Sequence, residues 1–561
     1  MKVAFLTSFN TDLLKRECSA LAEKKFPGKF EFWWHGYGQY NQSVLDSGSG
    51  LFTFNPDIVI IHLEIENLVG DAFSDPLLLN VEGRNALINS GKTALINIIE
   101  ILTSRIPKCR IICENFISRG TPYLGVYDAN TGAGNNAVTA GFNSFIAALT
   151  KEYAGRFFIN DYLTLVSEYG KSNWFDMRMY RLAKQPFSYK YFPALAAHYL
   201  DAASLLACPR KKCIITDLDN TLWGGIVGQE GVDNIQLGNP GIGEAYVSFQ
   251  KVLLNFYRQG VFLAVCSKNN YDDAIEAIEK HPDMILRKEY FSSLKINWLD
   301  KACNIKEIAD ELNIGTDSLV FIDDNPAECE LVKQQMPEVE VINLTGDPDN
   351  YIAQLLNYKP LQAFALTAED MKRNAMFRQD IKRREYESGF TDLDDFYRSL
   401  GMKGFVSVNS DSHISRAAQL SQKTNQFTLT TRGYSAEVLK ELIEKGECRV
   451  YTLKLEDKFG DNGIIAVAIV KPDAEKMHID SFLMSCRVIG RQAENLLMQC
   501  ILEDAYEMGR RKVTAEFIKT KKNLPAEKFL PDCGFVLNNE GLYQINLPVE
   551  KLNHYIELIR D

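Results

Sequence analysis

The sequence predicts a multi-domain α/β protein, and three observations carry that expectation. From the first residues to about residue 350, short β-branched runs alternate with helical patterns, the rhythm of parallel sheets covered by helices on both faces. Acidic residues follow several of those runs, at the carboxyl ends where such sheets put their chemistry. At 561 residues the chain is also too long for one core, so several domains are expected.

Taken in order, residues 1–205 offer the strand-like runs KVAFLTSF, DIVIIHLE, RIICENF and RFFIND, separated by amphipathic stretches such as Asn80 to Ser104. This is read as a doubly wound domain. The segment Asn173 to Ala203 is rich in aromatic and basic residues. It reads either as a phosphate- or partner-facing edge or as an amphipathic linker packed on two domains. Residues 206–350 form a second α/β domain. In it CIIT is a buried parallel strand presenting Asp217, Asp219, Asn220 and Thr221. Gly243 to Gln259 is a helix closed by Gly260, VFLAV is a strand delivering Ser267, Asp272–Lys280 and Asp300–Leu312 are helices, and Asp317–Asp323 is the next strand. Residues 351–400 are helical and charged, with a capping-box start at Thr367 and Asp370, and read as a helical linker bridging two domains. Residues 401–561 form the last domain.

On an extended backbone, residues two apart point the same way, so Asp217 and Asp219 can face one small volume. Two carboxylates that close repel each other. The arrangement makes sense if a divalent cation joins them or one carries a proton.

The stretch DLDNTLWGGIVGQEG resembles motif I of the haloacid dehalogenase (HAD) phosphatases, DxDxT, and in its longer form the FkbH-like subfamily. The other motifs follow in order: Cys266-Ser267-Lys268-Asn269-Asn270 after VFLAV, Lys301 in NWLDKACNI, and Asp323-Asp324 in FIDDNP. The resemblance implies that Asp217 attacks phosphorus and forms an aspartyl-phosphate, while Asp219 protonates the leaving oxygen and then activates water. It implies Mg²⁺ held by Asp217, the backbone carbonyl of Asp219, and Asp323 or Asp324. It also implies Ser267 and Lys301 on the phosphoryl oxygens. Roughly fifty residues from Asp217 to Ser267 and roughly thirty-five from Ser267 to Lys301 leave no room for a cap domain beside the core elements. An uncapped site must be closed by a neighbouring domain or accept a substrate attached to something large.

FkbH-like proteins are similar to SGNH (GDSL-like) hydrolases at their N-terminus, and Ser8, after the first strand, stands where such a nucleophile would. No GDS surrounds Ser8, no DxxH stands near the domain's end, and His198 lies in an apolar helical pattern. A serine esterase needs a base within reach, so the expected role is substrate shaping or carrier docking, with His62 and His198 as packed or capping residues. The C-terminal region, with LSQKTNQFTLTTRGYS, DKFGDNGIIAVAIV and HIDSFLMSCRVIGRQAENLLMQC, resembles GNAT acetyltransferases. Their Q/RxxGxG/A turn binds the CoA pyrophosphate at a helix start. Here Arg487-Val488-Ile489-Gly490-Arg491-Gln492 keeps the Arg and first Gly and places Gln492 last. The turn is a candidate for CoA or for the phosphopantetheine arm of a carrier protein, the alternative being an ordinary strand-turn-helix. Cys486, beside Arg487 and near a helix start, is the candidate acyl acceptor.

The resemblance implies an enzyme that takes the glyceryl group of 1,3-bisphosphoglycerate, removes phosphate and loads the unit as a thioester on an acyl carrier protein. The alternatives are a modular sugar-phosphate phosphatase with a separate acyltransferase, and a carrier-docking scaffold. A formal net charge of −11 argues against non-specific binding to nucleic acid or an anionic membrane surface. VAFL is too short for a signal-peptide core and no apolar run approaches a membrane span, so a cytoplasmic location is expected. The 12 cysteines lack metal-type pairs, and Cys213 and Cys266 sit in apolar runs, so no disulfide framework is expected.

Overall fold

The computed structural model describes the whole chain except residues 239, 423–425, 486–487, 521–522, 540 and 561, and the side chain of Glu369. The protein divides into two compact units, Met1–Leu254 with Leu263–Leu366, and Asn255–Phe262 with Thr367–Asp561.

The first unit holds two five-stranded parallel sheets. The N-terminal one runs β2-β1-β3-β4-β5, with β1 Lys2–Thr7, β2 Glu31–Trp34, β3 Ile58–His62, β4 Arg110–Glu114 and β5 Phe157–Asn160. Strand alternation sorts its side chains. Ala4, Leu6, Val59 and Ile61 pack under the helices Val81–Arg105 and Asn135–Glu152, while Val3, Phe5, Ile58 and Ile60 pack under Asp12–Lys25 and Phe192–Ala207. Strand β3 is buried along its whole length, as a central strand covered on both faces must be. Strand β2, EFWW, is half-exposed at the sheet edge, and its pattern did not stand out in the sequence. The aromatic segment after Asn173 is core: Trp174, Phe187, Tyr191 and Phe192 are buried against Phe9 and Tyr162.

The second sheet runs β10-β9-β6-β7-β8, with β6 Cys213–Thr216, β7 Phe262–Ser267, β8 Phe291–Ile296, β9 Leu319–Asp323 and β10 Glu340–Asn343. The chain winds outward from β6 through β7 to β8 and then returns to the other side of β6 as β9. The reversal therefore falls between β6 and β9, which pair in parallel from Cys213 with Leu319 to Thr216 with Ile322. Crevices at such reversals, beyond the carboxyl ends of the strands, are where open α/β sheets bind ligands. Between β6 and β7 stand an irregular stretch with the short helix Val227–Glu230 and then the helix Gly243–Arg258, and between β7 and the helix Lys301–Leu312 stand the helix Tyr271–Lys280 and β8, so the described residues make no inserted cap domain.

The stretch 351–366 folds with the first unit: Lys211 N donates to Pro360 O at 2.9 Å, Arg210 Nε to Leu361 O at 2.7 Å, and the Phe364 ring lies 5.2 Å from that of Phe158. Thr367 opens the helix Ala368–Glu387 with the expected capping box to Asp370, and this helix belongs to the second unit.

The second unit is built on a mixed sheet, β17-β18-β16-β15-β14-β13-β11-β19. Its strands are β11 Lys403–Val408, β12 Phe427–Thr428, β13 Arg449–Asp457, β14 Gly460–Pro472, β15 Lys476–Met484, β16 Lys512–Ala515, β17 Val536–Leu537, β18 Tyr543–Asn546 and β19 Glu557–Arg560. The helix Ala493–Glu507 buries Leu496, Leu497, Cys500 and Ile501 against it. The described cysteines are all free, and among the described residues no helix is long and apolar enough to cross a membrane.

Candidate active site

Strand β6 ends at Thr216, Asp217 follows it, and the next residues make a sharp turn. Asn220 adopts a left-handed backbone (φ 53°), and its Oδ1 accepts from Gly225 N at 2.9 Å. Gly225 itself has φ 92°, and a Cβ there would run into the Glu230 carboxylate, so the second glycine in LWGGIV is a backbone requirement. The turn brings Asp217 beside the end of β9, where Asp323 closes the strand and Asp324 follows. One carboxylate oxygen from each of Asp217, Asp323 and Asp324 lies within 4.8 Å of the others.

Lys301 opens the helix Lys301–Leu312 behind these carboxylates. It is almost wholly buried, with Nζ 2.5 Å from Asp323 Oδ2 and 3.2 Å from Asp217 Oδ1. Burial works against its charge, yet Asp217 and Asp323 outweigh burial and hold the ammonium above the ordinary lysine range. Asp323 also accepts from Asn325 N at 2.8 Å, and Asp324 from the Thr221 hydroxyl at 3.3 Å. Burial, then repulsion from Asp217, pushes both Asp323 and Asp324 above the usual carboxylate range. Three carboxylates face one ammonium. The excess negative charge is relieved by a proton or by a cation.

Asp219 is placed differently. Its Oδ1 accepts from Trp223 Nε1 at 2.8 Å and Val227 N at 3.1 Å, and its Oδ2 from Asn269 Nδ2 at 2.9 Å. Its carboxylate is thus tied to the turn after β6 and to the loop after β7, outside the group of three converging carboxylates. Burial is the main reason its pKa is raised. Ser267, at the end of β7, is buried, and its Oγ accepts from Asn269 Nδ2 at 3.4 Å. Sequence reasoning assigned no role to Asn269 or Trp223. The signal for Asn269 was its place two residues beyond Ser267 in the same motif.

The residues fit a small hard cation. Asp217 Oδ1 is buried with no hydrogen bond among the described residues, although Lys301 stands at ion-pair distance. All the converging donors are carboxylate oxygens, the ligand type Mg²⁺ takes.

The other candidates lie elsewhere. Ser8 Oγ accepts from Glu64 N at 2.8 Å, and no histidine bonds to it among the described residues. His62 Nδ1 is 2.5 Å from Tyr199 Oη, and burial, helped by His198, lowers its pKa to about 3. His198 Nε2 pairs with the buried Glu114 at 2.8 Å. Both histidines are therefore occupied by packing partners. Near them Glu64 and Glu66 flank Arg119, at 3.0 and 3.3 Å, and burial raises Glu64 to about 8.

In the second unit, Cys486 and Arg487 lie outside the described residues. Gly490 turns with φ 89° just before the helix Ala493–Glu507. The Arg491 guanidinium is engaged by Asp380 at 3.2 Å and Asp457 at 3.6 Å, while Arg383 binds Asp457 at 2.8 Å. Arg491 therefore helps tie the helix Ala368–Glu387 to β13. Strands β15 and β16 pair in parallel only from Lys476 with Lys512 to Ile479 with Ala515. Beyond that point β12 takes the edge of β15, pairing Phe427 with Met484 and Thr428 with Leu483. Leu429 N then donates to Phe482 O, and Ile518 N to Leu429 O, both at 2.9 Å. The parting between the two strands is filled by the chain's own backbone.

Fold and site together define a multi-domain protein with a Rossmann-like core of HAD phosphatase type. Residues 2–204 match the family described as FkbH, N-terminal domain. The chain is 31% identical to the N-terminal part of protein BF1531 from Bacteroides fragilis, which contains a phosphatase domain and was crystallised with Mg. That alignment covers 65% of this chain and 94% of the other, with a TM-score of 0.57. Alignments with Ard1 from Thermoplasma volcanium (16% identity, 26% of this chain, 99% of the other, TM-score 0.21) and with a GNAT-family acetyltransferase from Streptococcus pneumoniae (12%, 26%, 100%, 0.22) are far weaker. No curated protein matches the chain. The chain belongs to the FkbH-like family.

Proposed function

We propose that the protein is a Mg²⁺-dependent phosphatase or phosphotransferase of FkbH type. The observation that carries this reading is the convergence of Asp217, Asp323 and Asp324 around a buried Lys301 at the reversal point of the second sheet. Asp217 attacks phosphorus in line, and the bond from phosphorus to the leaving oxygen breaks. Asp219 gives its proton to that oxygen, and the resulting carboxylate then takes a proton from the water that opens the aspartyl-phosphate. Ser267 and Lys301 bind the phosphoryl oxygens, with Lys301 neutralising charge that grows in the transition state. A Mg²⁺ ion held by Asp217, Asp323, Asp324 and the Asp219 carbonyl would supply further neutralisation of the phosphoryl charge.

For the substrate we propose a phosphoglyceryl compound, the glyceryl unit passing to an acyl carrier protein as a thioester. Support comes from family membership and from a site without a cap, which suits a substrate delivered on a large carrier. The alternative, a modular phosphatase with a separate acyltransferase, requires an open strand edge for a CoA arm in the second unit. The seating of β12 along β15 occupies that edge against a CoA arm and a carrier's phosphopantetheine arm alike, so it does not separate the two readings.

The test is phosphate release and intact-protein mass after incubation with 1,3-bisphosphoglycerate and Mg²⁺, for the wild type, Asp217→Asn and Cys486→Ala. Phosphate release that depends on Asp217, with a glyceryl adduct lost in Cys486→Ala, supports loading through that thiol. Release without any adduct leaves a phosphatase and removes the thiol step. No release in the wild type overturns the phosphatase reading.

A further inference from the structure

We infer that Asn269 is a positioning residue for the proton-transfer step, holding the Asp219 carboxylate so that its proton is delivered from one oxygen toward the leaving group. The inference rests on the phosphatase reading and concerns a residue to which the sequence motifs assign no role.

A carboxylate offers about four acceptor positions, two on each oxygen. Asp219 Oδ1 takes two donors, Trp223 Nε1 at 2.8 Å and Val227 N at 3.1 Å, and is filled. Among the described residues Oδ2 takes one, Asn269 Nδ2 at 2.9 Å. The one position left for a proton is therefore on Oδ2, and Asn269 determines which of its two lone pairs that is.

The amide turns its Nδ2 toward both the Asp219 carboxylate and the Ser267 hydroxyl. Asn269 is only 5% exposed, so its geometry is held by packing. The same Nδ2 lies 3.4 Å from Ser267 Oγ, which links the proton donor to the group proposed to bind the phosphoryl oxygens. Trp223 and Val227 belong to the turn that carries Asp219, whereas Asn269 comes from the loop after β7. Its bond therefore sets the carboxylate relative to the phosphate site, which bonds within the turn do not do.

A residue acting through proton delivery is told from one that only shapes the pocket by the leaving group. Phenolate needs the proton far more than p-nitrophenolate does. The experiment measures kcat/KM of the full chain with Mg²⁺ on phenyl phosphate and on p-nitrophenyl phosphate, for the wild type, Asn269→Ala and Asn269→Asp. The aspartate keeps the shape of the side chain but, ionised, has no N–H to give. The expected result is a loss on phenyl phosphate at least ~10-fold larger than on p-nitrophenyl phosphate in both variants, within the range general acids contribute. Equal losses on the two esters, or none, would overturn the inference while leaving the phosphatase reading intact. A wild type inactive on both esters would overturn the phosphatase reading, and this inference with it.

Discussion

The two parallel sheets of the first unit are alike in size and each reverses beside its first strand, though in different strand orders, yet their carboxyl edges are built to opposite ends. At the edge of β6 and β9, three carboxylates converge on one ammonium and leave negative charge unmatched. At the edge of β1 and β3, Glu64 and Glu66 share the Arg119 guanidinium among aromatic rings, and Arg119 stacks 3.6 Å from the centre of the Tyr180 ring. The first arrangement is unfinished without a cation or a proton. The second largely neutralises itself. A reversal of strand order thus supplies a place for chemistry in either sheet, and the charge balance at that place decides whether chemistry is done there.

The strongest way to break the contrast is to remove the proposed nucleophile. Asp217→Asn is expected to lower Mg²⁺-dependent phosphate release by on the order of 10³-fold or more. Release assays on an aryl phosphate check this, and a variant retaining a tenth of the activity would remove Asp217 from the chemistry.

Next in size is the cost of stranding buried charge. Lys301→Met leaves Asp217 and Asp323 without their ammonium, so the first unit should lose about 3–5 kcal/mol in denaturant unfolding, as when one partner of a buried pair is removed. Saturating Mg²⁺ should recover part of that loss in the variant. An unchanged midpoint would mean that the cluster already carries its own protons.

A smaller effect is expected at the quieter edge. The folded pKa of Glu64, raised by burial to about 8, stands above the ordinary glutamate value of 4.5. Between those values the folded state keeps a proton that the unfolded chain has lost, so the Glu64 contribution to stability falls as pH rises through that window. Glu64→Gln removes the titration. The variant should gain on the wild type from pH 5 to pH 8 and level off above, as followed by melting temperature. A constant difference would place the Glu64 proton elsewhere.

The smallest effect sharpens the comparison most. Ser8→Ala should leave phosphate release within about twofold of the wild type, since surface and remote polar changes seldom reach a catalytic centre.

The catalytic edge was largely legible in the sequence because each motif sits directly after an apolar run. The strand end just before Asp217 and those at Ser267 and Asp323 follow from period and composition alone, and the capping box at Thr367 is a local signal that the structure repeats. What was not legible depends on contacts across the chain. The Asp219 carboxylate is held by Trp223 and Asn269 outside the group of three converging carboxylates, and no spacing rule states that. Arg491 looked available beside a glycine turn, but its partner Asp380 lies on a helix more than a hundred residues earlier. Strand β12 is two residues long, too short for any periodic signal, yet it decides what the β15 edge can accept. The aromatic run after Asn173 read equally as surface or as linker, and only packing identified it as core.

The most direct measurement is to find the phosphoryl group on the protein. Rapid acid quench of the Mg²⁺-loaded chain turning over an aryl phosphate, followed by borohydride reduction, converts an aspartyl-phosphate to homoserine, which peptide mass mapping locates. The account predicts homoserine at position 217 and none in Asp217→Asn. Homoserine at another aspartate, or phosphate on Ser8 or Ser267, would contradict it.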